Sequence, residues 1–234
     1  MSVQLPRLLS DGMVLQRNAD VKLWGTADEP VTVTFIGRRY PAATDADGRW
    51  EAILHDLESG GPYTLTINEI TVRNVYVGDV WLCSGQSNMQ IPMLRVKHMY
   101  PEELENPNPN IRQFTVPERF DFHGPAESLE GGSWLGASPE TVGEFSAVGY
   151  FFAKRLYERY QVPVGLLLSA IGGTPIHAWM SRGALKSFPK LLNEAGRCAD
   201  DAFVAHVREE DMKRTENFFT EIDNTDPGLA GKWY

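Results

Sequence analysis

The sequence predicts an α/β protein in which an N-terminal antiparallel β-sandwich, residues 1–77, precedes part of a parallel-sheet domain, residues 78–234. Three observations point there. Val31-Thr32-Val33-Thr34-Phe35 and Tyr63-Thr64-Leu65-Thr66-Ile67 alternate apolar with polar residues, the period of strands with one buried face. Val80-Trp81-Leu82-Cys83 and Val164-Gly165-Leu166-Leu167-Leu168 are instead continuously apolar, as expected of strands covered on both faces. Each of these later runs ends in a turn of small residues leading toward a helix, and alternating strands and helices imply a parallel sheet.

Taken in order, the first 77 residues are short strands separated by Asp45-Ala46-Asp47-Gly48 and Ser59-Gly60-Gly61-Pro62, residues that tolerate tight turns. No catalytic side chains cluster there, so a packing or positioning role is expected. After the Val80 strand, Ser84-Gly85-Gln86-Ser87-Asn88-Met89 reads as a polar turn opening a helix. Glu102 and Glu103 lie in a Pro-flanked polar stretch and are expected to face solvent, which leaves a glycosidase-type carboxylate pair without support. Ile111-Arg112-Gln113-Phe114-Thr115-Val116 reads as a strand. Between Glu144 and Gln161, Phe145, Val148, Phe152 and Leu156 fall at helical spacing, with Lys154 and Glu158 as an i,i+4 pair. That helix should stop before Pro163. The Val164 strand ends at Ser169-Ala170-Ile171-Gly172-Gly173-Thr174-Pro175, where Thr174 can cap a helix whose first residue is Pro175. Beyond Leu185 the chain is charged and helical in character through Asn217, and 222–228 is loop-like.

The 234 residues are 42% hydrophobic and 23% charged, ordinary values for a folded protein. A net charge of −9 without a basic cluster makes nucleic acid an unexpected partner. No apolar run reaches the roughly 20 residues of a membrane-spanning helix, so no membrane is expected either. The opening Met1-Ser2-Val3-Gln4-Leu5-Pro6 lacks a basic segment followed by an apolar one, so a secretory signal is expected to be absent or already removed. Cys83 and Cys198 are too few for a disulfide framework and lack metal-site spacing, and Cys83 is expected to be a buried thiol. No cofactor or metal is implied.

Ligands of open α/β sheets bind beyond the carboxyl ends of the strands. Two turns stand out there. One presents the Ser87 hydroxyl at a helix start, where dipole character favours a developing alkoxide, although serine at such a position is also a common helix cap. The other, Gly172-Gly173, offers N–H groups unobstructed by side chains, suited to an oxyanion. Position 89 is Met, so this is not the Gly-x-Ser-x-Gly elbow.

Val80-Trp81-Leu82-Cys83-Ser84-Gly85-Gln86-Ser87-Asn88-Met89 resembles the first block of the sialate O-acetylesterase family, a branch of the SGNH-type hydrolases. The stretch 5–17, Leu-Pro-Arg-Leu-Leu-Ser-Asp-Gly-Met-Val-Leu-Gln-Arg, resembles that family's N-terminal β domain, and Ile171-Gly172-Gly173-Thr174-Pro175-Ile176-His177-Ala178-Trp179 its glycine block. The resemblance implies an SGNH-hydrolase-like second domain with Ser87 as nucleophile. The N–H groups of Ser87 and Gly173, with Gly172 beside them, would form the oxyanion hole. Gln86 and Asn88 are expected on the substrate side, and Trp179 can pack against a sugar face or serve as core.

The family's Asp-x-x-His and Gln-Gly-Glu blocks do not occur in these 234 residues, and 226–234 resembles the point where relatives enter an insertion. The resemblance therefore implies an N-terminal portion of a longer enzyme, inactive or weak alone, with the rest of the parent chain as its partner. Of the five histidines, His177 stands nearest a site turn, although a polar surface role is its simpler reading. The expected activity is removal of O-acetyl groups from carbohydrates, with an acetylated sugar as substrate and a periplasmic or secreted location implied. An acetylxylan esterase, or a noncatalytic carbohydrate-binding or assembly module, is the alternative.

Overall fold

A computed structural model describes residues 3–119, 121–126, 128–226 and 228. Met1 and Ser2, and all of 226–234 except Asp226 and Gly228, thus lie outside the described residues, and with them most of the segment compared to an insertion point. The strands are β1 (Val14–Gln16), β2 (Val21–Thr26), β3 (Thr32–Phe35), β4 (Arg38–Pro41), β5 (Ala43–Thr44), β6 (Arg49–Leu54), β7 (Gly60–Ile67), β8 (Ile70–Gly85), β9 (Ile111–Thr115), β10 (Trp134–Gly136) and β11 (Val164–Ala170). The helices are α1 (Ser87–Gln90), α2 (Pro101–Glu105), α3 (Ala147–Tyr160), α4 (Arg182–Leu185), α5 (Pro189–Cys198) and α6 (Asp201–Thr225). The fold is mixed α/β. The chain divides into a larger unit, residues 1–119 with 126–175, and a smaller one, 120–125 with 176–234.

Within the larger unit, one mixed sheet runs β10-β9-β11-β8-β7-β3-β4, with β1 paired to β8, and a second sheet runs β2-β6-β5. Strict alternation builds the first core: β6 buries Trp50, Ala52 and Leu54 while Arg49 and Glu51 stay exposed, and β3 contributes Val33 and Phe35. On β8, Val72 and Val75 both point inward despite their odd spacing. The cause is a bulge, since Tyr63 pairs with Val75 and Leu65 with Val72, and Asn74 between them has φ 58°.

The boundary expected at residue 77 falls inside β8, a single strand of 16 residues that serves both parts. Its first half pairs antiparallel with β7, and residues 79–85 pair parallel with β11. What changes near residue 78 is the core: Val75 and Val77 belong to the first cluster, Cys83 to a second built with Leu166, Leu168 and Tyr150.

Three expectations are corrected. Trp81 and Leu82 are 45% and 68% exposed, and only Cys83 of that run is buried. Over residues 79–85 β8 pairs with β11, and among the described residues no strand covers its other side. Helix α3 has the expected extent, with Ser146 Oγ capping the Gly149 N–H at 3.1 Å and Gln161 left-handed at its end. Its buried face is nevertheless Ala147, Gly149, Tyr150 and Ala153, whereas Val148 and Phe152 are exposed. Small residues win because the helix lies close to the sheet: a Cβ on Gly149 would stand 3.3 Å from both Cys83 Sγ and Leu166 Cδ1. Phe152 meets Trp81 edge to face instead, centroids 5.0 Å apart. Finally, Glu103 is buried, not solvent-facing, paired with Lys154 and contacted by the Tyr150 hydroxyl at 3.4 Å. Lys154 is drawn to it, leaving the predicted Glu158 partner at 4.0 Å. Burial of an acid is tolerable where such partners exist.

In the smaller unit, Asp200 caps α6 by accepting the Ala202 and Phe203 N–H groups, and Arg197 lies 4.4 Å over the Phe203 ring. Helix α6 reaches Thr225, through the start of the segment read as loop. Among the described residues no helix is long and apolar enough to cross a membrane.

Candidate active site

The site begins with register. Ala170, the last residue of β11, pairs with Gly85, the last of β8, so two parallel neighbours end at one level and their turns start side by side. Ile171 N–H donates to Gly85 O at 3.1 Å and extends this pairing by one residue.

On the β8 side, Gln86 caps α1: its Oε1 accepts the Ser87 N–H at 2.9 Å and also the Ser87 hydroxyl. Helix α1 has only four residues, so the dipole stabilisation expected at Ser87 amounts to little. What fixes the turn is packing and hydrogen bonding. Ser146 Oγ donates to Met89 O at 2.6 Å, and Gln113 Oε1 accepts the Ser146 N–H at 3.0 Å. Ser146 and Gln113 are 0% and 2% exposed, a buried polar relay that anchors the Ser87 turn to β9 and α3. Beneath it, burial pushes the Cys83 thiol pKa up, which keeps that sulfur protonated.

On the β11 side, Gly172 N–H donates to Gln90 Oε1 at 2.6 Å, and Gln90 Nε2 donates to Glu118 Oε1 at 2.7 Å. A Cβ on Gly172 would lie 3.0 Å from Gln90 Oε1 and 3.5 Å from Ser87 Cβ, so the glycine turn rests directly against the serine. Gly173 has φ +80°, a conformation that glycine adopts freely, and a Cβ there would meet nothing within 4 Å. Among the described residues its N–H has no hydrogen-bond partner. Thr174 Oγ1 donates to Ile171 O at 2.7 Å and closes this turn on itself; the helical turn that follows is the short Ile176–Trp179.

The structure thus brings Ser87, Gly172 and Gly173 together and places Gln86 and exposed Asn88 on either side of the serine. Of the three amides read as oxyanion donors, those of Ser87 and Gly172 are held by glutamine side chains, and Gly173 presents the open one. Trp179, 39% exposed, and half-buried His177 belong to the smaller unit. Elsewhere His55 Nδ1 pairs with Asp20 at 2.6 Å, and His123 sits between Asp121 at 3.1 Å and Asp201 at 3.3 Å. Among the described residues no histidine is hydrogen-bonded to Ser87, and no group of three His, Cys, Asp or Glu could hold a metal.

Gln90 and Glu118 were not legible as site residues. Gln90 lies three positions after Ser87, one helical turn on, and that spacing was the available signal. Glu118 is brought in only by tertiary structure.

Residues 77–216 match the family model described as "Carbohydrate esterase, sialic acid-specific acetylesterase". Sialate O-acetylesterase of Rattus norvegicus is 34% identical over 200 residues, covering 75% of this chain and 37% of that protein. The Homo sapiens protein of the same name is 33% identical over 205 residues, covering 76% and 39%. A crystal structure of a carbohydrate acetylesterase from Xanthomonas citri superposes with a TM-score of 0.74 at 40% identity, covering 79% of this chain and 43% of that one. The chain therefore spans under two-fifths of the length of these two named relatives.

Proposed function

The chain belongs to the sialic acid-specific acetylesterase family of carbohydrate esterases, and from that premise we propose that it carries the nucleophile of a serine esterase that removes O-acetyl groups from sugars. The observation that carries the reading is the apposition of Ser87 and the Gly172-Gly173 turn at the ends of two paired parallel strands. On this reading Ser87 Oγ attacks the acetyl carbonyl carbon, a new C–O bond forms, and the carbonyl oxygen becomes an oxyanion. The Gly173 N–H donates to that oxygen first. The Ser87 N–H joins it once the Gln86 carboxamide turns aside, whereas Gly172 stays bound to Gln90 and holds the turn in place. Collapse expels the sugar hydroxyl and leaves an acetyl-enzyme, which water hydrolyses to acetate.

A hydroxyl needs a base to become an effective nucleophile. Here the Ser87 hydroxyl donates to Gln86, and the family resemblance assigns the base to an Asp-x-x-His block that these residues lack. We therefore assign base and orienting carboxylate to a further part of the parent chain. The uncovered side of β8 over 79–85, with exposed Trp81 and Leu82, supports an additional strand docking there and completing an SGNH-hydrolase-like sheet. The first core, closed between the β2-β6-β5 sheet and the β7-β3-β4 side of the larger sheet, supports the β-sandwich reading of the N-terminal part. The names of the relatives support an O-acetylated sialic acid as substrate, and we infer a periplasmic or secreted location from the family resemblance.

The absence of a histidine bonded to Ser87 among the described residues favours one other reading, a noncatalytic carbohydrate-binding module. Acetate release separates the two. The 234 residues and any longer product of the same gene are assayed on O-acetylated sialic acid and on acetylated xylan. Release by the longer product, faster on the sialic acid, supports the proposal; preference for xylan changes the substrate; binding of sugars without any release supports the module.

A further inference from the structure

We propose that the outer face of the β2-β6-β5 sheet is a second carbohydrate site, on residues other than those around Ser87, that takes a neutral sugar ring stacked on Trp24. The sugar chemistry rests on the reading of the chain as a carbohydrate esterase; the site itself rests on geometry. Alternation along β2 turns Leu23 into the core, 0% exposed, and Lys22, Trp24 and Thr26 outward. Across the ladder Trp24 faces Glu51 and Thr26 faces Arg49. These residues, with Asp45 and Gln4, line a cavity of about 880 Å³, within the size range of small-molecule sites.

An indole 38% exposed on a strand whose other face is core leaves part of a large apolar ring open to solvent. A pyranose offers what fits it: one ring face of C–H bonds to lie on the indole, and hydroxyls at the rim that donate and accept. The rim here suits hydroxyls better than an ion. Two cations, Lys22 and Arg49, stand among two carboxylates, Asp45 and Glu51, and Lys22 Nζ is already 3.0 Å from Glu51 Oε2. Such a mixed field has donors and acceptors but no net charge to attract an anion or a cation.

Titration calorimetry with non-acetylated xylohexaose, mannohexaose and 3′-sialyllactose at millimolar concentration tests the site on wild type, Trp24→Ala, Trp24→Phe and Ser87→Ala. We expect a neutral hexaose to bind wild type and Ser87→Ala alike. Trp24→Ala should weaken it about 10-fold or more, and Trp24→Phe, which keeps an aromatic face, much less. Thermal melts confirm that the variants fold. Binding that ignores Trp24, binding of sialyllactose alone, or binding of none of the three overturns the proposal. Acetate release in the same preparations reports on the esterase reading independently: it can fail while Trp24-dependent binding stands, and the reverse.

Discussion

Gln90 Oε1 accepts the Gly172 N–H at 2.6 Å, so a side chain of helix α1 holds the neighbouring glycine turn. The same carboxamide donates to Glu118, which fixes its rotamer and leaves its oxygen aimed at β11's end. The spacing between Ser87 and the Gly172-Gly173 turn is therefore set by one strut.

Removing that strut should lower turnover without much change in sugar binding. In any longer product of the gene that releases acetate, Gln90→Ala is expected to cut kcat about 10- to 100-fold with KM nearly unchanged, since small misplacements of reacting groups cost rates of that order. Steady-state kinetics on an acetylated sugar checks this. An unchanged kcat would show that the turn holds its position without Gln90.

The two glycines of that turn should fail in different ways. Gly172→Ala forces a methyl to within 3.0 Å of Gln90 Oε1 and 3.5 Å of Ser87 Cβ, so activity should fall while stability changes little. Gly173→Ala meets no neighbour but must hold φ +80°, which should cost about 1–2 kcal/mol in urea unfolding. Equal stability losses in both variants would contradict this division.

Burial pushes the Tyr150 hydroxyl pKa up to about 12 from an ordinary value of 10.0. An acid whose pKa is higher in the folded state stabilises the fold fully below its unfolded value and loses that contribution as pH rises through the folded one. Unfolding free energy should therefore fall between pH 10 and about 12, by about 2 kcal/mol more in wild type than in Tyr150→Phe. Parallel pH profiles would show that Tyr150 ionises without cost.

Glu103 depends on Lys154 in the same cluster. Lys154→Ala leaves a carboxylate that is 10% exposed without its cation and should destabilise the larger unit by about 1–3 kcal/mol. Chemical denaturation measures it, and Lys154→Ala with Glu103→Gln should recover part of the loss.

Strand periods were legible because each follows from alternation of neighbours in sequence: β3 and β7 bury the residues that the period indicates. The same reading misjudged Trp81 and Leu82, because an apolar run reports what a strand is made for and not which neighbours lie beside it here. It misjudged α3 for a related reason. Helical periodicity counts large apolar residues, whereas the buried face carries Gly149, close against Leu166 of β11, and Ala153, whose value is their small size. At the site, Ser87 and the glycine turn were marked by local sequence, and the parts supplied by distant residues, Glu118 and the Gln113–Ser146 relay, carried no such mark.

The claim that matters most is that Ser87 is the nucleophile. Ser87→Ala, made in the 234 residues and in any longer product of the gene that releases acetate, tests it directly. Activity should be weak or absent in the 234 residues and should fall roughly 10⁴- to 10⁶-fold in the longer product on substitution, the range for loss of an attacking serine. A longer product that keeps its rate with alanine at position 87 would contradict the account.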